Sequence, residues 1–159
     1  MWRAVFLGGL AAGVAACAGG VSPSLTEASF GTLHRVGGEV VLKETMSRVP
    51  LVQGGPGDFD NSFGVCFHYT KGWALHDVGV FVEPPGKTED RDLPGTKTLK
   101  VSEDGILVPI DELNQKEGDF CQEMFFDLGD PTGSWRFSLK EGETVHATWD
   151  IEAYAPPED

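Results

Sequence analysis

Few residues of this chain are of the types that do chemistry, and their spacing limits what they can do. There are three cysteines, Cys17, Cys66 and Cys121, and four histidines, His34, His68, His76 and His146. "LHD", Leu75-His76-Asp77, places a carboxylate beside an imidazole, as a general base or a metal ligand requires. No motif supplies a nucleophile: neither G-x-S-x-G nor H-E-x-x-H occurs. "DFDNSFG" clusters oxygens at Asp58, Asp60, Asn61 and Ser62, which suits calcium. The EF-hand spacing fails there, with Phe63 at the glycine position and Tyr69 where the bidentate Glu should stand, and Asp and Asn also build turns without an ion. Trp73 lies in a short Gly-containing connection, suited to stacking on a sugar or anchoring a partner if exposed, and to capping the core if folded back. With His76 and Asp77 it is the candidate ligand-binding group. The expectation is a chain without enzymatic activity, cofactor or bound metal.

The cysteines divide by context. Arg3 precedes an uncharged apolar run from Ala4 to Ala16, about 20 Å long as a helix, shorter than the ~30 Å hydrocarbon core. A positive end, a short apolar stretch and then small residues make a secretory signal. Val14-Ala15-Ala16-Cys17 resembles the bacterial lipobox, in which the signal is cut before a cysteine that carries diacylglycerol. The resemblance implies lipidation at Cys17 and a membrane partner reached through that lipid. Ala18, rather than Asp, implies the outer membrane where the cell has two. The small, uncharged "AGGVSPS" that follows suits a tether. Cys66 and Cys121 then remain as a pair, and in an exported protein a pair is expected to be a disulfide. Neither sits in C-x-x-C or beside a histidine placed to activate it.

Charge narrows the partners. The net charge is −13, and without Arg3 the remainder after residue 16 carries −14. That excludes a phosphate-led nucleic-acid surface and disfavours lying flat on anionic lipid. It favours solubility.

The elements that must position these groups are strands, because alternation dominates. Trp135, Phe137 and Leu139 alternate with Ser134, Arg136 and Ser138; Val145, Ala147, Trp149 and Ile151 are expected inward, with His146 and Asp150 outward. "KEGE" joins these two runs as a hairpin turn. Phe63, Val65, Phe67 and Tyr69 oppose Gly64, Cys66 and His68. Further strands are expected at residues 29–36, 39–45, 78–82, 97–101 and within 119–128, whereas 105–113 is ambiguous because Pro109 would confine it to a sheet edge. Turn-rich stretches such as "QGGPGDFDN" and "EPPGKTEDRDLPG" separate the strands. About eight short strands without a helix predict an all-β, immunoglobulin-like two-sheet sandwich. The boundaries read as a signal at 1–16, a tether at 17–28, the sandwich at 29–155 and a tail at 156–159. Cys66 and Cys121 fall on the less apolar faces of their strands, so their bridge should join neighbouring strands on the outside of one sheet.

The cues "ASFG", "SRVPLVQGG…NSFGVCFHY" and "LGDPTGSWRFSLKEGETVHATWDIEAY" run through residues 27–154. Together they resemble a family of short exported bacterial proteins known as a domain of unknown function. The resemblance implies an immunoglobulin-like fold and an envelope setting, and it offers no catalytic residues. The expected function is a lipid-anchored, non-catalytic binding or assembly module with an envelope protein as partner. The alternative is a small-ligand or glycan binder that uses loop aromatics.

Overall fold

The computed structural model describes residues 24–51, 62–86, 100–102, 104–126 and 129–157. The signal, Cys17, the Asp58/Asp60 cluster and residues 87–99 of the long charged loop lie outside them.

Among the described residues, ten strands form two sheets. In chain order they are β1 (Leu25–Val36), β2 (Glu39–Thr45), β3 (Arg48–Pro50), β4 (Phe63–Thr70), β5 (Val78–Glu83), β6 (Lys100–Ser102), β7 (Gly105–Pro109), β8 (Glu117–Met124), β9 (Gly133–Glu141) and β10 (Thr144–Tyr154). The sheet orders are β2-β1-β4-β8 and β3-β10-β9-β5-β7-β6. The chain changes sheet between β2 and β3, β3 and β4, β4 and β5, β7 and β8, and β8 and β9, and β3 runs parallel to β10. This is the Greek-key connectivity of an immunoglobulin-like sandwich.

Alternation explains the core. Phe63, Val65, Phe67 and Tyr69 of β4 face Val78, Val80 and Val82 of β5 and Trp135, Phe137 and Leu139 of β9, all buried. Phe30, Phe63, Phe126, Trp135 and Phe137 link the two sheets through ring contacts with centroids 4.7–6.4 Å apart, in the tilted and offset arrangements that aromatic quadrupoles favour. The Trp135 Nε1–H donates to the Pro131 carbonyl at 3.0 Å, so the buried indole keeps no orphan donor.

Several expectations need correction. The first strand begins at Leu25, inside the segment read as a tether to residue 28; Leu25 and Thr26 pair with Tyr69 and His68. β3 has only three residues and ends in Pro50, too little pattern to read, yet Val49 is buried and β10 supplies its hydrogen bonds. β7 is an inner strand rather than an edge. Pro109 is tolerated because it is the last residue of the strand, opposite Gly79 of β5. β10 carries a bulge between Val145 and Ala147, which oppose the adjacent residues Lys140 and Leu139. The extra residue reverses the alternation: Val145, expected inward, is 54% exposed, and His146, expected outward, has only 11% of its side chain exposed.

The four-stranded sheet is sharply curled at the end holding the β1–β2 turn. β2 and β8 occupy its opposite edges yet approach each other. Arg35 of β1 reaches across to Glu123 of β8, at 3.5 Å. Glycines make the curl possible: a Cβ on Gly31 would stand 1.9 Å from the Glu44 carbonyl oxygen, and one on Gly64 would stand 1.9 Å from that of Gln122. Leu33, buried apart from the central core, packs above Gly64.

Candidate functional site

Strand direction gives the sandwich two unlike ends. At one end lie Ser24, the β4–β5 connection, the segment before β8 and the β9–β10 turn. At the other lie the β1–β2 turn, the start of β4, the close of β5 and the close of β10.

Trp73 belongs to the first end. It sits in a 3₁₀ turn, Gly72–Ala74, between Lys71 and Leu75. The Lys71 N–H donates to the Lys116 carbonyl, and the Gly72 N–H to that of Gln115 at 2.9 Å. Bonds from Ala74 to Lys71 and from Leu75 to Gly72 close the turn. Gly72 is buried against the backbone of Leu113 and Gln115. The turn is therefore fastened from beneath, and the indole it presents is 60% exposed rather than folded over the core.

His76 and Asp77 follow it, and both are exposed. No hydrogen bond joins them among the described residues, so the imidazole–carboxylate couple suggested by "LHD" is not made. Asp77 instead turns the chain at φ 53°, and its carbonyl accepts from the Gly142 N–H at 3.1 Å. The three sequence candidates share one corner without forming a convergent polar site.

Two other histidines do find carboxylates. His68 Nδ1 lies 2.9 Å from Asp119 Oδ1, directly across β4 and β8 on the outer face. His146 Nε2 lies 3.3 Å from Glu141 Oε2, which also accepts from the Ser24 hydroxyl at 2.9 Å. The second group combines serine, histidine and acid, but in the wrong order for catalysis. A hydrolytic triad places the imidazole between hydroxyl and carboxylate so that it can take the hydroxyl proton. Here the carboxylate is central, and it clasps the start of the first sheet to a strand of the second. Sequence reading missed this clasp because the bulge at His146 carries no residue signature. Glu141→Gln should weaken both bonds and cost about 1 kcal/mol; a double-mutant cycle with Ser24→Ala, read by urea unfolding, measures the Ser24 share.

Comparison with known proteins adds one likeness. No family model matches the sequence, and no curated protein matches it. The resemblance of residues 27–154 to the exported family thus gains no family match. Among solved structures, the chain is similar to an immunoglobulin-like protein from Pseudomonas aeruginosa known from a crystal structure. Identity is 13% and the TM-score 0.48, over 85% of this chain and 100% of that chain. The sandwich assignment rests on the strand order itself.

The expected disulfide is present. Cys66 and Cys121 are directly opposed on β4 and β8, with Cα atoms 4.1 Å apart, and they are bonded. The bridge lies within one sheet, on the face away from the core, as the strand faces predicted. It is not the inter-sheet pin of antibody domains. No cluster of metal-ligating side chains occurs among the described residues. No helix among them is long and apolar enough to cross a membrane. Beyond the bulge at Val145, the outer face of β9 and β10 carries Arg136, Thr148 and Asp150. Arg136 Nε donates to Asp150 Oδ1 at 2.8 Å. That bond, and then the charges of Asp150 and Glu83, hold the guanidinium pKa above its ordinary value.

Proposed function

We propose that this chain is a lipid-anchored, non-catalytic binding or assembly module of a bacterial cell envelope. The observation that carries the reading is Val14-Ala15-Ala16-Cys17 at the end of a short apolar run. The Cys66–Cys121 bridge supports it, since such bonds persist in oxidising compartments. The acid-centred Ser24–Glu141–His146 cluster supports a structural rather than a catalytic use of its polar groups. Binding falls to the loops of a rigid sandwich, where recognition residues gather on such scaffolds. The resemblance to exported proteins of unknown function belongs to the same proposal and assigns no residue.

Detergent phase partition and intact-mass measurement test the anchor. The parent should enter the detergent phase with a diacylglyceryl mass on Cys17, and Cys17→Ala should move to the aqueous phase. A parent found in the aqueous phase with an unmodified Cys17 overturns the anchor. Crosslinking in intact cells tests the module: one dominant envelope protein should be captured from the parent and lost from Cys17→Ala. Capture of no protein, with retention on a glycan array, would transfer the reading to a glycan binder using Trp73.

A further inference from the structure

Three large apolar side chains are prominently exposed among the described residues: Val36 at 57%, Trp73 at 60% and Val145 at 54%. Val36 lies at the far end beside the β1–β2 turn. Trp73 and Val145 both lie at the end where the chain arrives at β1. The Thr70 N–H donates to the Ser24 carbonyl at 3.0 Å, three residues before Trp73. The Gly142 N–H donates to the Asp77 carbonyl, which ties the turn before Val145 to the same corner. Neither side chain is exposed by loose packing. A turn bonded from beneath holds Trp73 out, and a strand bulge turns Val145 out.

We infer that this end of the sandwich rests on the lipid–water interface, with Trp73 and Val145 among zwitterionic headgroups. The inference rests on the anchor at Cys17. Ser24 stands seven positions after Cys17, and at roughly 3.5 Å per residue that segment reaches no further than about 25 Å. An anchored chain therefore holds this end, not the opposite one, next to the bilayer. Tryptophan suits that boundary, because its ring is apolar and its N–H seeks water or headgroup oxygens. Tethering makes a weak contact effective, since it converts binding into an intramolecular event. Charge selects the lipid. Lys71 and Lys116 are outnumbered by the exposed Asp77, Glu117 and Glu143 at this end, so anionic headgroups are repelled.

The test uses protein purified from expressing cells and reconstituted into phosphatidylcholine vesicles, some made with brominated acyl chains. Trp2→Phe removes the tryptophan of the signal segment; Trp135 is buried and Trp149 partly buried, which leaves Trp73 as the tryptophan open to the quencher. The expected result is quenching and a blue shift of the Trp73 emission. Both should vanish in Trp73→Phe, and both should weaken in Val145→Ser or when anionic lipid is mixed in. Intact mass reports lipidation separately. Unquenched emission from protein shown to be lipidated overturns the inference and leaves the anchor standing. If the mass shows an unmodified Cys17, the anchor fails; Cys17 lies outside the disulfide and can then be coupled to a maleimide lipid, and the same quenching decides the inference. Absent quenching, with loss of a crosslinked protein in Trp73→Ala, overturns it in favour of a protein-docking surface.

Discussion

Gly64→Ala should cost about 3 kcal/mol or more, at the upper end of overpacking effects. The added methyl would stand 1.9 Å from the Gln122 carbonyl oxygen, a backbone atom held in the β4–β8 ladder. No rotamer change relieves that contact; β8 must move away and give up pairing. Gly31→Ala faces the same obstacle from the Glu44 carbonyl oxygen of β2. Domains of this size are stable by about 5–15 kcal/mol, so either change removes a large share of the whole. Gly118→Ala is the informative contrast. Its new methyl would meet the tip of the Tyr69 side chain at 3.0 Å, which can shift, and about 1 kcal/mol is expected. Urea unfolding of the three variants ranks them; equal costs for Gly64→Ala and Gly118→Ala would contradict the curl as described.

Replacing Cys66 and Cys121 together by alanine should cost about 4 kcal/mol in the chain-entropy account of a closed loop of this length. The bridge spans 55 positions, so opening it frees a long segment of the unfolded chain. The native sheet should survive, because β4 keeps β1 on one side and the β8 register on the other. The urea slope should rise, since an unbridged unfolded chain exposes more surface. A loss below about 1 kcal/mol would mean that native strain or residual unfolded structure cancels the constraint.

Residues with a strong period-two pattern are legible in the sequence alone. Trp135, Phe137 and Leu139, like Phe63 to Tyr69, declare a strand and its buried face together. The same pattern places Cys66 and Cys121 on one outer face, and strand pairing does the rest. What escapes the pattern is set by contacts distant in sequence. β3 is a strand only because β10 lies beside it. The bulge at His146 shifts the register without a glycine or proline to announce it. Trp73 could fold over the core or stand clear of it on sequence grounds, and backbone bonds to Gln115 and Lys116 decide the matter. His76 and Asp77 stand together in sequence, yet the backbone turns at Asp77 and the pair is not made.

β1 starts at one end of the sandwich, and β10 finishes at the other. β1 is also an inner strand, hydrogen-bonded to β2 on one side and β4 on the other. A mechanical load applied between an N-terminal tether and a partner gripping the far end therefore runs along the strands. It stresses the two ladders of β1 in shear, many bonds at once, instead of peeling an edge bond by bond. The architecture is thus stiff under tension applied between the start of β1 and the close of β10.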